Sequence, residues 1–175
     1  MNHLATSKED ILAASRDLIK ENGWAAVSIR AVASRCSVSA GTIYNYYESK
    51  ADLLSDTIES IWHEIFFHPE DEQVFHDVES CISWIYERLE YGNRQFPGFF
   101  SLHSFGFMRD EKTSGKKRMM KTWGHILNGL CEVLGNDPKV RADVFDQEFT
   151  EKKFADILFS LILVSMIRQD YDPSS

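Results

Sequence analysis

The sequence predicts an all-α protein of about nine helices. No segment shows the period-2 alternation or the clustered β-branched residues of strands. Apolar residues recur at helical spacing in several runs, and capping residues with Gly or Pro stops punctuate the chain throughout. These signals divide the chain into a three-helix helix-turn-helix module over residues 1–50 and a helical body over residues 51–175, joined by a long helix.

Thr6 with Glu9 reads as a capping box before a run through Ile11, Ala14, Leu18 and Ile19, and Asn22-Gly23 supplies the stop of helix one. Ser28 caps a short second helix, about residues 29–35, and Ser39 caps a third, about 40–46. Ser49 with Asp52 opens the long fourth helix, which carries Leu53, Leu54, Ile58, Ile61, Trp62 and Ile65 up to Pro69. A fifth helix, roughly 73–92, has Val74, Val78, Ile82, Ile85 and Leu89 on one stripe. The aromatic stretch from Pro97 to Met108 is assigned to a sixth helix. A polar, basic loop from Asp110 to Lys117 leads to a seventh helix, ended near Leu134 by Gly135-Asn136-Asp137-Pro138. A short helix after Pro138 and a last one from Thr150 to Gln169 complete the chain.

The net charge of -8 argues against a protein that coats nucleic acid by charge alone. The charge is unevenly placed. Residues 1–50 hold six cations against five anions, +1, and the other 125 residues hold the remaining -9. Contact with a polyanion therefore belongs at the front, with the acidic body standing away from phosphates. Cys36, Cys81 and Cys131 are an odd number without CxxC spacing and read as small buried hydrophobes. No signal-peptide pattern opens the chain, so a reducing cytoplasm is expected. The longest apolar stretch, Ile157 to Ile167, is far shorter than the ~20 residues that span a bilayer.

Residues 28–50 are the most informative segment. Two helices this short bury too little surface alone, so helix one and the start of helix four must close a core over Ile29, Val32, Ala33, Val38, Ile43 and Tyr47. The outward face of the third helix then presents Ala40, Gly41, Thr42, Tyr44, Asn45 and Tyr46, without a carboxylate. Such a face can lie close to DNA and hydrogen-bond phosphates and base edges. Gly41 lets the backbone approach a duplex, and the helix starts capped at Ser28, Ser39 and Ser49 turn positive dipole ends toward phosphates.

The run VSAGTIYNYYESKADLL, preceded by VSIRAVASRCS, resembles the DNA-binding signature of the TetR/AcrR family of transcriptional regulators over about residues 8–55. The resemblance implies that Thr42, Tyr46 and Lys50 meet phosphates. It places Tyr44 and Asn45 against the backbone or base edges, and Ser28 and Arg30 beside a neighbouring phosphate or base. Ser39, at the start of the third helix, and Ala40 and Gly41, on its outward face, complete the expected DNA-contacting set. Two residues depart from the pattern. Ser37 stands where the family has a turn glycine, at a cost of about 1 kcal/mol if its φ is positive. Ala40 replaces a commonly basic residue, which removes a phosphate contact and makes binding weaker or less salt-dependent.

For the body, the resemblance implies an effector pocket between helices four and seven, with Trp62, Phe66, Trp84, Phe99, Phe100, Phe105 and Trp123 as candidate walls. The plainer reading of any one ring is core filling. Apolar walls and surplus carboxylates suit a small hydrophobic or cationic compound. The last helix is apolar around most of its circumference and needs cover on more than one side. The resemblance implies a homodimer through this helix, with Phe154, Ile157, Leu158, Leu161, Ile162 and Met166 in the seam; burial within one chain is the alternative. Two recognition helices related by a two-fold axis would read a palindromic operator with half-sites about 34 Å apart. A ligand that tilts helix four would break that spacing.

The expected function is a ligand-responsive repressor. The rival is an interaction protein of the same fold, anchored on DNA, whose body binds another protein. No catalytic residues, metal site or cofactor are expected. His3, His63, His68, His76, His103 and His125 form no HExxH, and GxSxG, GxGxxG and the P-loop are missing. Glu64 with His68 reads as a solvated pair.

Overall fold

The computed structural model describes residues 6–66, 75–100, 114–141 and 143–172, with side chains in the 114–136 helix from residue 123 on. Seven α-helices and no strand occur among the described residues: α1 (Lys8–Asn22), α2 (Ile29–Arg35), α3 (Ala40–Tyr44), α4 (Lys50–Phe66), α5 (Val78–Gln95), α6 (Ser114–Asn136) and α7 (Glu151–Arg168). The all-α expectation holds. None of these helices is long and apolar enough to cross a membrane.

Local chemistry sets most boundaries. The capping box of α1 uses Ser7 and Asp10, one residue later than expected: Asp10 N–H donates to Ser7 Oγ at 3.1 Å and Ser7 N–H to Asp10 Oδ2 at 2.8 Å. Gly23, at φ 76°, stops the helix and leads into a single 3-10 turn, Trp24–Ala26. The turn after α2 is closed by Ser37 N–H to Ser34 O (3.1 Å) and Val38 N–H to Ala33 O (2.9 Å), which forces Ser37 to φ 57°. The cost foreseen for a non-glycine residue there is therefore present.

Two expected helices change. The fifth starts at Val78 rather than near 73, because Asp77 caps it by accepting from Ser80 N–H at 2.8 Å. Asp137, nearly buried, accepts a further N–H of that first turn, from Val78 at 2.9 Å. The short helix after Pro138 is replaced by turns among the described residues. Asp137 binds Lys139 N–H, and Asp146 binds the N–H groups of Glu148 (2.7 Å) and Phe149 (2.6 Å), so side chains take the donors a helix would need. Of the expected sixth helix, residues 97–100 form a turn and the remainder, with Phe105, lies outside the described residues.

The core runs continuously through α4. Leu53, Leu54, Ile61 and Ile65 of α4 are buried in one cluster with Ile11, Ile19, Val32, Ile43 and Tyr47 of the front module and with Ile85, Leu89, Phe96, Phe100 and Leu130 of the body. Gly92 allows α5 to approach α4 closely, since an added Cβ would sit 2.6 Å from Ile65 Cδ1 and 2.9 Å from Phe100 Cζ. α6 lies along α7 and against α4.

Polar ties join α1 to the rest. Lys8 pairs with the nearly buried Asp56 at 2.6 Å. Arg16 and Lys20 both grip Glu64 near the end of α4, at 3.0 and 2.6 Å, and Lys20 also lies over the Phe96 ring. Glu64 is thereby tied to α1, while His68, its expected partner, lies outside the described residues.

Candidate nucleic-acid interface and ligand cavity

The α2–turn–α3 unit is held from inside by Ile29, Val32, Ala33, Ile43 and Tyr47, all buried, with Val38 half-buried, as their spacing implied. Ser28 accepts from Ala31 N–H at 3.2 Å and Ser39 from Thr42 N–H at 3.2 Å, so both short helices start on a side-chain cap. Of the three clustered tyrosines one is core and two are surface: Tyr44 is 55% exposed and Tyr46 43%. Gly41, Asn45, Ser39, Arg30 and Lys50 are exposed, while Ser28, Ala40 and Thr42 are half-buried. The Thr42 hydroxyl lies 3.0 Å from Ser39 Oγ.

Charge sorts these residues further. Among the described residues, Lys8, Arg16 and Lys20 are tied to Asp56 or Glu64. Arg35 folds back on Glu21 and Asp17, and the same Arg35 hydrogen bond holds the Glu21 carboxyl below its ordinary range. Arg30 and Lys50 form no ion pair among the described residues, and they lie exposed in the first turns of α2 and α4, the helices before and after α3. The sequence could not foresee this sorting, because every cation of residues 1–50 looked equally available.

Tyr46 was expected at a phosphate. In the free chain its hydroxyl donates to the carbonyl of Thr6, forty positions away, so that proton is already used. The bond also fixes the lead-in to α1 beside α3, a proximity no local pattern signals.

In the body, a cavity of about 570 Å³ opens between the end of α4, the start of α5 and the second half of α6. Its walls are Phe66, Phe75, Trp84, Ile85, Ile126, Leu130 and Val133, with Cys81, His125, Gly129, Glu132 and Asn136. Of the expected aromatic walls among the described residues, Phe66 and Trp84 reach it; Phe105 lies outside them. Trp62, Phe99 and Phe100 are buried against one another, with ring centroids 5.1–5.7 Å apart, and belong to the core. Trp123 packs edge-on against Phe159 of α7. Phe75 and the polar row on α6 were missed, since single polar residues at helical spacing look like any solvated face. Burial pushes the Cys81 thiol up to about 11, which makes it a poor nucleophile. Cys36 and Cys131 are half-buried rather than buried, and desolvation raises both.

The last helix has two different faces. Ile162 and Met166, 5% and 2% exposed, point into their own chain, so they cannot form the outer part of a seam. Phe154 and Leu158 are half-buried. Ile157, Leu161, Val164 and Ile167 are 41% to 54% exposed and fall on one stripe, of which Val164 and Ile167 stand outside the expected seam set.

The front of this chain is thus a helix-turn-helix whose second helix exposes Gly41, Tyr44 and Asn45, with two cations that form no ion pair among the described residues in the adjoining helices. Residues 11–57 match the sequence profile described as "Bacterial regulatory proteins, tetR family". The HTH-type transcriptional regulator UidR of Escherichia coli is 38% identical over 48 residues, 27% of this chain and 24% of UidR, so the match spans about a quarter of that relative. Along nearly the whole chain the fold is similar to two crystal structures. One is a transcriptional regulator from Rhodococcus sp. Rha1, with TM-score 0.63, 18% identity, and 97% of this chain and 86% of that one covered. The other is a TetR/AcrR-family regulator from Thermobifida fusca, with TM-score 0.60, 18% identity, and 95% and 86% covered. The tetR-family match thus covers the helix-turn-helix segment, and along the rest of the chain the likeness to these regulators is one of fold.

Proposed function

We propose that this chain is a ligand-responsive repressor that binds a palindromic operator as a homodimer in the cytoplasm, without an enzymatic step of its own. Residues 1–50 dock on DNA, and residues 51–175 hold the effector and the partner copy. The observation that carries the reading is that Arg30 and Lys50, exposed at the first turns of the helices before and after α3, are the cations left without carboxylates among those of the described front module. Counterions released from phosphates by these two groups supply affinity, and the exposed Tyr44, Asn45 and Gly41 lie where base edges would be. An added Cβ at Gly41 would meet nothing closer than Ser39 Oγ at 3.6 Å, so this glycine answers no packing need of its own chain.

The exposed stripe of Ile157, Leu161, Val164 and Ile167 supports a second copy as its cover, which joins two recognition helices into one reader. The cavity supports an effector, and its volume falls in the range of about 300–1,000 Å³ typical of small-molecule sites. A route to the front exists in the same helices. Trp84 lines the cavity one turn before Arg88, whose guanidinium donates to the carbonyls of Ile65 and Glu64, and the Glu64 carboxylate holds Arg16 and Lys20 of α1. An occupant that shifts α5 or Phe66 thereby moves the module that α4 carries.

Selection of genomic fragments by the purified protein tests this directly. The expected result is a two-fold symmetric duplex bound by two copies. Failure to prefer any duplex over bulk competitor would overturn it.

A further inference from the structure

We propose that the α5/α6 cavity is built for a lipophilic organic cation, with its charge paired to Glu132 and its apolar part against Trp84. This deepens the reading that the cavity holds the effector and rests on it. One wall is aromatic: Phe66 and Phe75 each meet the Trp84 ring edge-on, with centroids 5.8 and 5.4 Å away. Ring faces of this kind attract a soft cation, and their area excludes water from its apolar part. The facing wall is a polar row on α6, His125, Gly129, Glu132 and Asn136, at steps of four, three and four residues that keep one helix face.

Charge selects the sign of the ligand. Glu132 is the one carboxylate among the described lining residues, which include no lysine or arginine. The nearby cation Lys139 is taken up by Asp77 at 3.4 Å and Glu79 at 3.9 Å, so it does not neutralise the row. An anionic occupant would meet repulsion there, and a neutral one would gain nothing from the carboxylate.

Gly129 makes the room. An added Cβ at this position meets no atom within 4 Å, so open space rather than packing adjoins it. A mid-helix glycine costs about 1 kcal/mol relative to alanine, and here its missing side chain keeps the row open between His125 and Glu132.

Tetraphenylphosphonium and tetraphenylborate, ions of matched shape and opposite charge, test the inference on the full chain. Nile red serves as a neutral probe, and binding is read by calorimetry or dye anisotropy. Tetraphenylphosphonium should bind more tightly than tetraphenylborate, and Glu132→Gln should weaken the cation about five- to tenfold while leaving Nile red unchanged. Gly129→Leu should weaken all three, with the thermal midpoint reporting that the chain still folds. Equal binding of the two ions, or no effect of Glu132→Gln, would overturn the cation assignment while Nile red keeps the cavity as a ligand site. Absence of binding by every probe, or indifference of all of them to Gly129→Leu, would overturn the cavity reading as well.

Discussion

Replacing Lys50 by glutamine isolates the electrostatic part of the DNA contact. Lys50 is exposed at the first residue of α4 and forms no ion pair among the described residues, while the adjoining cap, Ser49 with Asp52, does not involve its side chain. The substitution should therefore leave folding intact. Each phosphate neutralised contributes about -0.9 to the slope of log Kobs against log salt. With Arg30 and Lys50 engaged in each of two subunits, four phosphates give a slope of about -3.6, so raising salt from 50 to 200 mM weakens binding about 150-fold. The Lys50→Gln dimer retains two such contacts, a slope of about -1.8 and only about a 12-fold loss over the same range. Fluorescence anisotropy of a labelled duplex across that series measures both slopes. A wild-type slope near twice the expected one would mean that cations committed inside the free chain are released on docking. An unchanged slope in the variant would refute the assignment of Lys50 to a phosphate.

Ser37→Gly relieves a left-handed residue at φ 57° and should stabilise the chain by roughly 0.5–1 kcal/mol, raising the melting temperature by about 2 °C; a lower midpoint would refute the strain. Leu161→Glu sets a carboxylate in the middle of the exposed α7 stripe and should weaken dimerisation at least about a hundredfold by light scattering, with helix content unchanged. A dimer that persists would place the seam elsewhere. The Ser80 N–H, then the Ser80 hydroxyl and Lys139, hold the Asp77 carboxyl below the usual carboxylate range. A depressed folded value means that its stabilisation is present above the ordinary aspartate pKa of about 3.9 and is lost as pH falls through the folded value. The gap between the urea midpoints of wild type and Asp77→Asn at pH 7 should shrink as pH falls below the ordinary aspartate value of about 3.9; a gap that widens on acidification would reverse the sign.

Helices and their caps were legible because their causes are local. Ser28, Ser39 and Thr150 each cap within three residues, and Gly23 stops α1 through its own φ. The errors have local causes too, since Asp10 outcompeted Glu9 for the cap, and Asp137 and Asp146 diverted backbone donors from a short helix. The face of α3 was readable because helical periodicity separates Ile43 and Tyr47 from Tyr44 and Asn45.

What the amino-acid order determined by itself was the all-α class, the helix-turn-helix and the inward and outward sides of its short helices, since all of these follow from interactions a few residues in reach. Only the tertiary structure decided which cations remain unpaired, which rings face a cavity rather than one another, and which side of α7 is left uncovered. Glu64 reaches Lys20 across 44 positions and Phe99 meets Trp24 across 75, and apolar and ionic pairings at that range depend on how helices cross, which residue identity alone does not encode.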